Sequence, residues 1–149
     1  MLEVISVRWL RFVNVVMKNG VVLRITFDEK PLYENVQSET AKSLKRDLER
    51  YLRGERVDFS EYEVDLSDLT PFTRMVLEEV RKIPYGRTLT YGDLAKVFGT
   101  SPRAVGVAVK KNPVPILIPC HRVVAKDGLG GYGGGIKLKK ALLKLEGVL

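Results

Sequence analysis

One cysteine and one histidine stand among 149 residues. A lone cysteine excludes an internal disulfide framework, and one cysteine with one histidine excludes every zinc site built from several such ligands. Any thiol or imidazole chemistry therefore falls on Cys120 and His121. No apolar run approaches the roughly 20 residues that a membrane helix needs. Met1 to Gly20 mixes charges among its apolar residues and does not read as a signal peptide. A cytoplasmic protein with no membrane partner is the expectation. Glutamine and asparagine are also scarce, which together with many Lys, Arg and Glu suits a heat-adapted source.

What is present is an ordinary folding composition, 45% hydrophobic and 29% charged. That length and composition bury a real core as one large or two small domains. The net charge of +7 is unevenly placed. Residues 1–70 hold 11 Lys and Arg against 13 Asp and Glu, a balance of −2, whereas residues 71–149 hold 14 against 5, a balance of +9. A basic half of this kind first suggests nucleic acid, because each phosphate contact releases counterions; an anionic membrane or plain solubility would give the same count.

The pattern divides the chain into residues 1–69 and 70–149. Residues 3–17 and 21–27 are β-branched and aromatic runs separated by Lys18-Asn19-Gly20, where Asn-Gly suits a tight hairpin turn. Ala41, Leu44, Leu48, Tyr51 and Leu52 then follow helical spacing, with Thr40 or Ser38 as the cap and Gly54 as the stop. An acidic connection, 55–69, is expected to hold a short strand near Tyr62 to Leu66. The second half reads as helices. Thr70-Pro71 and Ser101-Pro102 each give a cap followed by proline at the first helical position, and a further start at Thr90 runs to Gly99. The last two have the outline of a helix-turn-helix. Ile116 to Val124 reads as extended, Gly128 to Gly135 as a glycine-rich loop, and Ile136 to Glu146 as a closing helix with Leu138, Ala141, Leu142 and Leu145 inward and its lysines outward. The fold class is α+β.

The most unusual stretch is Asn112 to Val124, NPVPILIPCHRVV. A thiol attacks as thiolate, and its free pKa of about 8.5 must be lowered by a base or a positive field. His121 and Arg122 follow Cys120 directly. Neighbours on an extended chain point to opposite sides, so cooperation between Cys120 and His121 requires a bend after Pro119 or a bridging water. By composition alone, Cys120 would be a small buried apolar residue and His121 a satisfied core histidine. The second helix of the helix-turn-helix, Arg103-Ala104-Val105-Gly106-Val107-Ala108, is mostly small or apolar and permits close approach while reading little sequence. Gly128, Gly130 and Gly133 match G-x-G-x-x-G, but too little chain follows for a dinucleotide fold, and no nucleotide cofactor is expected.

The NPVPILIPCHRVV run closely resembles the active-site signature of the O6-alkylguanine-DNA alkyltransferases, the methylated-DNA–protein-cysteine methyltransferases. The resemblance spans residues 71–149 and includes FTRMVLEEVRKIPYGRTLTYGDLA, Ser101 to Gly106, Gly131-Tyr132 and Leu145-Glu146-Gly147. It implies repair of O6-alkylguanine, and of O4-alkylthymine, in double-stranded DNA by a single-turnover transfer to Cys120. His121 would take the thiol proton through a water, Glu146 would orient the imidazole, Asn112 would hold the loop and Tyr91 would protonate the departing guanine. Arg103 would fill the gap left by a flipped nucleotide, with Ala104 and Gly106 close to the minor groove. Tyr132 and Gly133 would wall the base pocket, and Arg122 would be among the residues that bind substrate or DNA. The resemblance further implies a ribonuclease-H-like N-terminal support, a winged-helix-like C-terminal domain, and a monomer of which several copies can occupy DNA. No cofactor and no metal are expected, since the ligands of the zinc site found in some family members are missing. Position 133 is glycine where relatives often have serine. Two other readings stay open: a helix-turn-helix module that binds lesions without chemistry, and a cysteine hydrolase.

Overall fold

Asn19 and Gly20 both take positive φ, 51° and 81°, and close the hairpin between strands β2 (Phe12–Lys18) and β3 (Val21–Asp28). The computed structural model describes residues 1–149, which separate into two units, Met1–Leu66 and Ser67–Leu149. In the first unit the apolar run 3–17 is broken into β1 (Leu2–Arg8) and β2 by a turn at Trp9 to Arg11, where the Trp9 amide donates to the Arg11 carbonyl at 2.8 Å. No Gly or Pro marks that turn, so the pattern alone does not reveal it. The sheet is antiparallel in the order β1-β2-β3, with a register shift between Val16 and Met17.

Helix α1 (Glu39–Leu52) packs on β1. Ser38 is its cap, its hydroxyl accepting from the Ala41 amide. Ala41, Leu44, Leu48 and Tyr51 are fully buried with Ile5, Val13, Val15 and Met17 of the sheet, each large side chain contributing about 1.5–3 kcal/mol of transfer free energy. Residues 62–66 form no full strand: a single parallel bridge joins Val64 to Val22. Glu3, 1% exposed, sits at the start of α1 and accepts from the Gln37 and Ser38 amides and the Ser38 hydroxyl.

The second unit carries α2 (Pro71–Arg81), α3 (Tyr91–Phe98), α4 (Pro102–Lys110) and α5 (Ile136–Leu145). Thr70, Thr90 and Ser101 cap the first three, each accepting from a backbone amide three residues on. Gly99 ends α3 in the left-handed conformation (φ 62°) and turns the chain into α4, giving the helix-turn-helix. Of the stretch 116–124, only Val123–Val124 (β5) is a strand; it pairs in parallel with β4 (Leu89–Thr90). Together the units make a mixed α+β chain with one three-stranded antiparallel sheet and five helices.

Candidate active site

The prolines at 113, 115 and 119 withhold backbone donors from residues 112–119, so few backbone bonds remain, the Ile118 amide on the Val114 carbonyl (3.0 Å) among them, and side chains supply the rest. Asn112 does so from both ends, its Nδ2 donating to the Ile118 carbonyl at 2.8 Å and its Oδ1 accepting from the Val114 amide at 3.0 Å. The Cys120 amide shares the Ile118 carbonyl, at 2.8 Å. Between these anchors Ile116 adopts φ 75° while only 2% exposed. A β-branched residue in that region costs on the order of 1–3 kcal/mol, and persists because surrounding contacts over-determine it. The segment ends in a 3₁₀ turn, Cys120–Arg122, closed by the Arg122 amide on the Pro119 carbonyl. That turn is the bend that cooperation between adjacent Cys120 and His121 requires.

His121 is fully buried, and its Nε2 lies 2.6 Å from Glu146 Oε2. The carboxylate faces Nε2, so that nitrogen carries the proton and Nδ1 keeps the lone pair. Glu146 also accepts from Arg122 Nε (2.9 Å), Arg122 Nη2 (2.9 Å) and the Gly86 amide (3.0 Å). Gly86 presents that amide from φ 77°. Burial pushes the His121 pKa below its ordinary value of 6.5; Glu146 pulls it up, and Arg122 and Lys139 push it further down. The imidazole is therefore neutral near pH 7, the state able to accept a proton.

Arg122 corrects a sequence expectation. The resemblance puts it among the substrate- and DNA-binding residues, yet it is 7% exposed, grips Glu146 through two nitrogens, gives Nη1 to the Ile83 carbonyl at 2.7 Å and lies 5.8 Å from the Tyr85 ring centroid. A guanidinium so occupied offers nothing to a phosphate.

Cys120 is 8% exposed. Burial raises its pKa; hydrogen bonds from Asn112 and Tyr132 and the charge of Lys139 oppose that rise. Tyr91 is half-buried and its pKa is raised, first by burial and then by Cys120, so the phenol holds its proton. Its ring rests near Gly106 of α4 and against Gly130 of the glycine-rich loop. A Cβ at Gly130 would come within 2.9 Å of the ring, and φ is already 75° there, so glycine is required. Gly133 has open space around it.

Cys120, His121, Glu146, Asn112, Tyr132 and Tyr91 thus converge. Arg103 and Ala104 line a different feature, a groove of about 440 Å³ with Thr70, Thr73, Ser101 and Lys111. Arg103 is exposed at the start of α4. Sequence reasoning missed Lys139. The closing helix was expected to turn all its lysines outward, but its buried stripe is Leu138, Lys139, Leu142 and Leu143, with Ala141 and Leu145 only half-buried. Position 139 adjoins Leu138 and lies three and four residues before Leu142 and Leu143, which is the one signal that could have exposed it.

The model of the family described as 6-O-methylguanine DNA methyltransferase, DNA binding domain, matches residues 71–148. A methylated-DNA–protein-cysteine methyltransferase from Archaeoglobus fulgidus is 49% identical over 151 residues, covering 96% of this chain and 98% of that protein. The crystal structure of Mycobacterium tuberculosis O6-methylguanine methyltransferase superposes with a TM-score of 0.82 at 32% identity, covering 98% of this chain and 93% of the other. A DNA complex from the same organism gives 0.81 at 33% identity, covering 98% and 92%. The chain belongs to the O6-methylguanine-DNA methyltransferase family.

Proposed function

We propose that this protein repairs double-stranded DNA directly, moving the alkyl group of O6-alkylguanine, and of O4-alkylthymine, irreversibly onto Cys120. The observation that carries the reading is the buried chain of Glu146, neutral His121 and the 3₁₀ turn that starts at Cys120. The lone pair on His121 Nδ1 receives the thiol proton, through a water. The thiolate attacks the alkyl carbon: a C–S bond forms, the C–O6 bond breaks, and its electron pair leaves with the guanine. Tyr91, whose hydroxyl keeps its proton, supplies that proton to the departing base. The thioether is stable, so each molecule reacts once.

The target atom lies inside the base pair, and the base must be extruded to reach a thiol this enclosed. Exposed Arg103, beside the small residues Ala104 and Gly106, suits filling the vacated stack, while Tyr132 and the Gly133 amide wall the pocket. The same reading takes residues 1–69 as a ribonuclease-H-like support and 70–149 as a winged-helix-like domain. The protein would act in the cytoplasm as a monomer, with several copies able to share one DNA.

Intact-mass measurement after incubation with O6-methylguanine duplex, or with free O6-benzylguanine, tests the reaction. One permanent adduct on Cys120, absent in Cys120→Ala, is expected. No adduct would leave a lesion-binding module, and repeated turnover of an ester or amide would mean a hydrolase.

A further inference from the structure

The turn Ile83-Pro84-Tyr85-Gly86, which joins α2 to β4, reaches the charged pair behind His121 through every residue but Pro84. The Ile83 carbonyl accepts from Arg122 Nη1 (2.7 Å), and the Tyr85 ring lies 5.8 Å from the guanidinium. The Tyr85 hydroxyl donates to the carbonyl of Leu145 (3.3 Å), the residue before Glu146, and the Gly86 amide donates to Glu146 Oε1 (3.0 Å). Arg122 so held spans the carboxylate, Nε on Oε1 and Nη2 on Oε2, both at 2.9 Å. The side chain of Glu146 is 0% exposed and that of Arg122 8%.

Fixing the tautomer of His121 does not require any of this, because Glu146 alone would hold the proton on Nε2. A buried carboxylate with no other cation on it, however, favours a charged ring, since an imidazolium is then what neutralises it. A ring in that state has no lone pair for a thiol proton. With the guanidinium already on both oxygens, a proton on His121 would add a further cation to a carboxylate that is compensated. The charged and titratable groups that face His121 are Cys120 and Arg122 on its own 3₁₀ turn, and Lys139 and Glu146 on α5 and its end; the turn after α2 adds Tyr85 behind Arg122.

We propose that Arg122 is a positioning residue for alkyl transfer: seated by the turn Ile83 to Gly86, it neutralises Glu146, so that this carboxylate orients the His121 ring without trapping it as imidazolium. The inference rests on the alkyl-transfer reading, in which His121 Nδ1 must be free to take the thiol proton. It divides two demands that one carboxylate cannot meet by itself. Orientation needs an acceptor at Nε2, and basicity at Nδ1 needs that acceptor to be less than a bare anion. The Gly86 amide acts in the same direction as Arg122 by donating to Oε1. Arg122 touches neither thiol nor base in this account and acts only through Glu146.

His121 is the only histidine in the chain, so an NMR titration of ring resonances reports one group. Arg122→Met should move its midpoint upward by about one pH unit or more. Transfer from O6-benzylguanine should slow near pH 7 and recover most of the difference by about pH 9, where the ring is again neutral; a loss through misfolding alone would not recover. Arg122→Lys, which keeps the charge, should return the midpoint most of the way. An Arg122→Met protein that melts cooperatively with an unmoved midpoint would overturn the proposal. Should that variant fail to fold, Tyr85→Leu decides: it removes the ring face and the hydroxyl from the seat of Arg122, and should raise the midpoint by a smaller amount, about 0.3 unit. An unmoved midpoint there overturns the seating by the turn and with it the proposal. The titration uses no alkylated base. A raised midpoint together with no adduct from O6-benzylguanine on the unaltered protein would refute the repair reading alone, whereas an adduct with an unmoved midpoint would refute the role of Arg122 alone.

Discussion

Each unit of this protein buries one carboxylate, and the two have different consequences. Glu3 is 1% exposed and Glu146 6% exposed. Glu3 is surrounded by neutral donors, the Gln37 and Ser38 amides and the Ser38 hydroxyl, which tie β1 to the first turn of α1. Burial alone would raise its pKa, yet those bonds hold it below the ordinary 4.5. Glu146 instead binds two ionisable groups, His121 and Arg122, besides one amide. A carboxylate with neutral partners can only brace. One that shares its charge with a titratable ring sets the protonation state of that ring. Burial and satisfied hydrogen bonds do not by themselves mark a reactive site; the chemistry of the partners does.

Glu146→Gln should break this contrast with the largest effect. The change leaves the Arg122 guanidinium buried without its counter-charge, at a cost of about 3–5 kcal/mol. It should also slow transfer from free O6-benzylguanine by about 10²-fold or more, because the imidazole loses the group that fixes its tautomer. Denaturant melts and the time course of adduct mass check the two parts separately. Stability loss without a slower reaction would reduce Glu146 to a second Glu3.

Two arginines offer the next contrast. Arg103→Ala should slow repair of O6-methylguanine in duplex DNA far more than reaction with the free base, which needs no flipping. If Arg103 also meets a phosphate, the salt slope of DNA binding should fall by about 0.9. Arg122→Lys, at a buried position, should leave that slope unchanged. Equal slowing of both substrates by Arg103→Ala would make Arg103 structural.

Glu3→Gln should destabilise the protein by about 1–3 kcal/mol, since it exchanges charge-assisted bonds for weaker neutral ones. The rate of transfer from O6-benzylguanine should stay within about twofold of the unaltered protein if the folded population is intact. A large rate loss in fully folded Glu3→Gln would erase the distinction between the two carboxylates.

The smallest effect separates the two sites by pH. His121 has a folded pKa below the ordinary 6.5, so the unfolded chain binds a proton there first and stability declines as pH falls below about 6.5. Glu3 has a folded pKa below the ordinary 4.5, and its contribution, present above that value, is lost as pH falls further. Melting temperature across acid pH should therefore lose the lower component in Glu3→Gln and keep the upper one. Transfer should follow the His121 component alone, flat down to about 6.5 and falling below the folded pKa, because a protonated imidazole cannot accept the thiol proton. A transfer profile that tracks the carboxylate range would show that His121 is not the base.

Much of this protein is determined locally and was legible in the sequence. Asn19-Gly20 can take the positive φ angles of a hairpin turn, Ser38, Thr70, Thr90 and Ser101 can satisfy helix amides three residues on, and Gly99 can adopt the left-handed conformation between α3 and α4. These features depend on a few neighbouring residues, so short-range patterns suffice. The stretch around Cys120 was legible in another way, as a motif whose residue types name a chemistry. The Trp9 turn was not legible, because it lacks turn residues and exists only where β1 and β2 pair. Nor was the use of the two buried cations. Arg122 follows Cys120 in the chain, but only the approach of Ile83 and Glu146, from 39 and 24 positions away, turns it inward. Lys139 looks like its exposed neighbours until Val123 and Gly131 offer carbonyls and Tyr91 a ring face. The sequence by itself determined which groups are available to react. Tertiary structure decided which of them lose their water and whose charge they meet, because desolvation and Coulomb energy depend on distance in space and not on separation along the chain.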